Sequence, residues 1–68
     1  MHLGIEIGGT KLQLGVGLPT QATLTKLERL DIHANAGAEG ILQQIAETAP
    51  ALIERFGVKK IAWINIYP

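Results

Sequence analysis

The sequence predicts an α/β fold: β-β-β-α-β, a mixed four-stranded sheet in the order 3-2-1-4 with one crossover helix. Three observations carry that expectation. Two alternating runs, His2 to Ile7 and Lys11 to Leu18, flank a short glycine-bearing turn and read as a β-hairpin. From Ala38 the apolar period changes to that of a helix. The chain then closes on an almost wholly apolar run, Lys59 to Ile66, of the kind that suits a central strand.

Each element has its own signature. In the first run Leu3, Ile5 and Ile7 face one way, Gly4 and Glu6 the other. Gly8-Gly9 marks the turn. In the second run Leu12, Leu14, Val16 and Leu18 oppose Gln13, Gly15 and Gly17. The two strand glycines leave one face nearly bare, so another backbone or a ligand is expected to approach there. Pro19 breaks the run.

The third strand is expected from Leu24 to Ile32, with a bulge. Leu24, Leu27 and Leu30 also fit a helical spacing, but the Thr-rich entry and short polar turn favour the strand. Asn35-Ala36-Gly37 reads as a loop. The helix, about 18 residues by its periodicity, carries a stripe of Ile41, Ile45, Ala49, Leu52, Ile53 and Phe56. Pro50 should kink or split it near Thr48, and Gly57 should cap it. In the last strand Ile61, Trp63 and Asn65 are expected on one face, with Ala62, Ile64 and Ile66 on the other.

The first three strands then form a meander, and a right-handed crossover returns the last one parallel to the first. The helix covers one sheet face. Nothing remains to cover the other, although several strands look apolar on both sides. A contiguous exposed apolar face is rare in monomers. Self-association, or a C-terminal remainder beyond this chain, is therefore expected.

Size sharpens the point. A chain of 68 residues is one domain, and a core below about 70–80 residues seldom supplies more than roughly 3–5 kcal/mol. There is no cysteine for a disulfide, and the two histidines are far apart. The formal net charge is zero, which gives no footprint for nucleic acid or an anionic membrane. No apolar run reaches the ~18 residues of a membrane span, and no leader pattern opens the chain. A cytoplasmic location is the default expectation.

Chemistry concentrates in "GIEIGGTK", Gly4 to Lys11. Gly8 and Gly9 let a ligand approach the backbone, and successive turn N–H groups form an anion nest. Thr10 adds a hydroxyl and Lys11 a cation. Glu6 supplies a carboxylate of the kind that holds a hydrated Mg²⁺. A Walker loop is rejected, because the final pair reads Thr-Lys instead of Lys-Thr and a strand follows. A Rossmann turn is rejected, because no G-x-G-x-x-G opens a helix.

The hairpin form "LGIEIGGTKLQLGVG", Leu3 to Gly17, resembles the first phosphate-binding motif of the ROK family of sugar kinases and related repressors. That glucokinase-like family belongs to the actin-like ATPase superfamily, with its ribonuclease H-like domains. The likeness extends more weakly over Arg29 to Ile61, through "RLDI" and the helix. It implies that Gly8, Gly9, Thr10 and Lys11 contact nucleotide phosphates, and that Glu6, standing where the family usually has Asp, serves Mg²⁺ through water. The implied cofactors are ATP and Mg²⁺.

The family's sugar-site loop, catalytic aspartate, zinc site and second phosphate motif have no counterpart here. Residues 1–68 are therefore expected to form a single truncated N-terminal ATPase-type subdomain, with no catalytic residue of its own and not competent alone as a hexose kinase. The repressor branch is disfavoured, since it places a helix-turn-helix before the first strand. The alternative is a small non-enzymatic interaction domain that oligomerises through its uncovered sheet face. His2 and His33 read as surface residues, Lys59-Lys60 as a solvated strand entrance, and Trp63 and Tyr67 as core or interface packing.

Overall fold

The alternating runs form the strands that their period predicts. In the computed structural model, which describes residues 1–18, 20, 23–32 and 37–66 apart from the side chains of Trp63 and Asn65, the first hairpin joins β1 (His2–Ile7) to β2 (Lys11–Gly17). After it come β3 (Lys26–Asp31), α1 (Gly37–Phe56) and β4 (Lys60–Ile66). The strand order is β3-β2-β1-β4, with β1 antiparallel to β2 and parallel to β4. This is the expected β-β-β-α-β layout. The readings made for Pro19, His33, Asn35, Ala36, Tyr67 and the Trp63 side chain lie outside the described residues.

The register builds the core. Leu3 pairs with Val16, Ile5 with Leu14 and Ile7 with Leu12, so each apolar residue of β1 meets one of β2 on the same face. Leu3, Leu12, Leu14 and Val16 are completely buried. Ala49 and Leu52 close the core from the helix, and Ile45, Phe56 and Val58 pack around it.

Two local details differ from expectation. β3 begins at Lys26, not Leu24, and pairs with β2 without a register shift from Val16↔Lys26 to Lys11↔Asp31, so it has no bulge. Leu24 is spent elsewhere. A Cβ built on Gly15 would stand 2.8 Å from Leu24 Cδ1, and one on Gly17 3.3 Å from Leu24 Cδ2. The bare glycine face is thus filled by the chain's own leucine, and Thr25 N–H secures the approach by donating to the Val16 carbonyl at 2.7 Å.

The helix is also longer than its stripe suggests, at 20 residues, and runs unbroken through Pro50. The carbonyl that loses its partner there belongs to Ala46, which is exposed, so water can take the missing bond. At the C-terminus Gly57 adopts φ +62°, and Val58 N–H donates to the Ile53 carbonyl at 3.0 Å. This is a Schellman cap, and Val58 packs against the core that holds Leu52. Among the described residues no helix is long and apolar enough to cross a membrane.

β4 departs most from the sequence reading. Its register shifts between Leu3 and Gly4, leaving Ala62 as an extra residue. Ile61, Ile64 and Ile66 consequently oppose Leu3, Ile5 and Ile7 and share the helix-side face, so Ile61 is not separated from the other two. The helix, however, packs against β2. Ile61, Ile64 and Ile66 remain 51, 57 and 73% exposed. The run that reads as a central strand is an edge strand, and the uncovered apolar surface lies on the helix side of β4. The opposite face carries Glu6, Lys11, Gln13, Arg29 and Asp31 together with two exposed leucines, Leu24 and Leu27.

Candidate phosphate-binding hairpin

The hairpin register fixes the candidate site. Gly8 N–H donates to the Lys11 carbonyl at 2.8 Å, which leaves Gly9-Thr10 as a two-residue loop. Strand alternation puts Glu6, Gly8, Lys11 and Gln13 on the face away from the helix. On that same face β3 sets Arg29 beside Gln13 and Asp31 beside Lys11. A further bond from Ile32 N–H to the Thr10 carbonyl, 2.9 Å, ties the turn to the end of β3.

The two glycines are not demanded by the backbone. Among the described residues only Gly37 and Gly57 have positive φ. A Cβ on Gly8 would meet the Lys11 carbonyl oxygen at 3.6 Å, an ordinary contact. A side chain at Gly8 would thus touch neighbouring backbone without strain. Gly9, Thr10 and Lys11 are all exposed along the turn. The expected nest of successive N–H groups is reduced, since Gly8 N–H already points into the hairpin.

Four charged side chains and one amide form two linked sets. Lys11 Nζ makes an ion pair with Asp31 Oδ1, both side chains being mostly exposed. Arg29 Nε donates to Gln13 Oε1 at 3.0 Å, and Gln13 Nε2 donates to Glu6 Oε1 at 2.9 Å. Arginine can only donate and carboxylate can only accept, so the Gln13 amide has one orientation that satisfies both. The sets hold two cations and two anions, and their charges cancel. Gln44 Nε2 donates to the Asp31 carbonyl at 2.8 Å, so the helix braces the strand end that holds the Lys11 partner.

All five residues singled out in the sequence, Glu6, Gly8, Gly9, Thr10 and Lys11, thus fall in and beside one turn. Glu6 is half-buried with one oxygen engaged by Gln13. Among the described residues no group of three or more His, Cys, Asp or Glu gathers as a metal cluster. Hydrated Mg²⁺ needs only one or two carboxylates beside its waters and phosphate oxygens. Gln13, Arg29 and Asp31 escaped the sequence reading. Their signal was alternation: once the meander is accepted, odd-numbered residues of β2 and β3 share the face of Glu6.

No protein-family model matches the chain, and neither a curated protein nor a solved structure matches it.

Proposed function

We propose that this chain binds nucleotide phosphate at the Gly8-Gly9-Thr10-Lys11 hairpin, as the first phosphate-binding element of a ROK-type, ATP-dependent sugar-kinase-like protein. The observation that carries the reading is a pair of turn glycines whose φ the backbone does not require to be positive, with Gly9, Thr10 and Lys11 exposed along the turn. Phosphate oxygens would lie against that exposed turn. Thr10 donates its hydroxyl, and the Lys11 ammonium exchanges the Asp31 carboxylate for phosphate. Mg²⁺, when bound, would neutralise phosphate charge. Glu6 would hold one of its waters while Gln13 and Arg29 keep that carboxylate in place. The reading assigns binding to this chain and no catalytic residue, and a cytoplasmic location, where ATP and Mg²⁺ are abundant, is proposed with it.

Asp31 makes this a weak site. It is an internal competitor for Lys11, and the nearby charges sum to zero. The test is amide NMR of the whole chain titrated with Mg-ATP. Saturable shifts centred on Gly8 to Lys11 are expected. Lys11→Met together with Thr10→Val should weaken binding by at least about tenfold, the worth of one charge-assisted hydrogen bond. Affinity that survives the double change removes the assignment.

A second reading, a small interaction domain, is favoured by a different observation. Three isoleucines of one edge strand stand more than half exposed on one face.

A further inference from the structure

We propose that β4 is a self-association edge, which pairs antiparallel with β4 of a second copy about a two-fold axis. The inference rests on the interaction-domain reading and names its partner. β4 has one neighbour, β1, so its other edge presents unpaired backbone among the described residues. Natural sheet edges are usually guarded by charge, proline or a covering element. β4 has no proline, and its only charge is Lys60 at the entrance. Five of its seven residues are Ile, Ala or Trp. Such a segment is a template for another strand.

Exposure and charge select the occupant. Ile61, Ile64 and Ile66 are each more than half exposed in one row on the helix side of β4, and the matching row of a second copy is an apolar surface of the same length and shape to cover it. A copy laid parallel would bring Lys60 against Lys60 and would not close. The antiparallel copy puts the lysines at opposite ends of the shared ladder, each near the apolar end of the other strand. A two-fold axis also closes the assembly at two chains. Ile61, Ile64 and Ile66 of both copies then line one side of a continuous eight-stranded sheet, flanked by the two helices.

The experiment is sedimentation of the whole chain from about 10 μM to about 1 mM, a range that spans weak self-association, together with NMR on a mixture of isotope-labelled and unlabelled chains. A monomer–dimer equilibrium is expected, with intermolecular contacts that join the Lys60 end of one β4 to the Ile66 end of the other. Ile64→Lys, or Ile66→Lys should the first variant fail to fold, is expected to weaken the dimer at least about tenfold. A dimer insensitive to these changes, with its intermolecular contacts elsewhere, overturns the β4 assignment and leaves the interaction-domain reading standing. Parallel contacts, or growth past the dimer, overturn the two-fold arrangement. A monomer throughout the range overturns both the inference and that reading. None of these outcomes depends on nucleotide.

Discussion

The two edges of this sheet are made of opposite materials. β3 carries Lys26, Glu28, Arg29 and Asp31 among its six residues, whereas β4 carries Lys60 alone among its seven. On β3, Lys26 Nζ pairs with Glu28 at 3.3 Å on the helix side, while Arg29 and Asp31 engage Gln13 and Lys11 on the other. Both faces of that edge end in charge, which discourages a further strand. On β4 three isoleucines point to the helix side and the helix does not reach them. The contrast teaches that one sheet can be finished on one side and open on the other. It also shows that the charged edge does double duty, because its side chains dress the candidate phosphate hairpin.

Substitutions at graded distances from the two edges test this contrast. The largest effect is expected at Leu14, completely buried in β2 and paired with Ile5 on one side and Glu28 on the other. Leu14→Ala should cost about 2–5 kcal/mol, comparable with the whole stability of so small a core. Urea titration should show both edges lost in one transition, or a chain already unfolded in water. Gly57→Ala comes next. It forces a Cβ into φ +62° at the cap that turns the chain toward β4, so about 1–2 kcal/mol should be lost, read as a lower urea midpoint.

A smaller thermodynamic change gives the sharpest comparison. Lys26→Ile with Glu28→Ile removes an ion pair worth about 0–1 kcal/mol, yet it converts β3 into a second apolar edge. Urea stability should hardly move, while sedimentation should report assembly beyond a dimer. Asp31→Asn is expected to have the least effect on folding, since its pair with Lys11 is exposed. It frees the Lys11 ammonium, and Mg-ATP affinity should rise roughly two- to fivefold, the scale of one screened surface pair. NMR titration of the variant beside the parent chain measures that ratio.

Much of this contrast was legible in advance, and its limits are instructive. Glu6, Gly8, Gly9, Thr10 and Lys11 could be picked out because they are neighbours along one hairpin. Arg29 and Asp31 could not, because each reaches the site across two strands and 16 to 20 positions of chain. Gly15 and Gly17 announced a close approach, but only the fold shows that Leu24 makes it. The apolar content of β4 was plain, while its meaning was misjudged: an apolar strand is buried only when something covers it.

The elements and their order follow from short-range sequence pattern. Period-two alternation, the glycine turn, the helical stripe with its Gly57 cap and the apolar last run are written in neighbouring residues, and local backbone geometry acts at that range. Strand order followed too, since a meander plus one right-handed crossover leaves few ways to close a four-stranded sheet. Where the helix lies across the sheet, the slip of Ala62 out of register that gathers three isoleucines on one face, and the pairing of Asp31 with Lys11 are visible only in the folded chain. These are outcomes of packing between distant segments. A helix seated over β2 buries Leu12, Leu14 and Val16 completely, and one helix is too narrow to cover β4 as well.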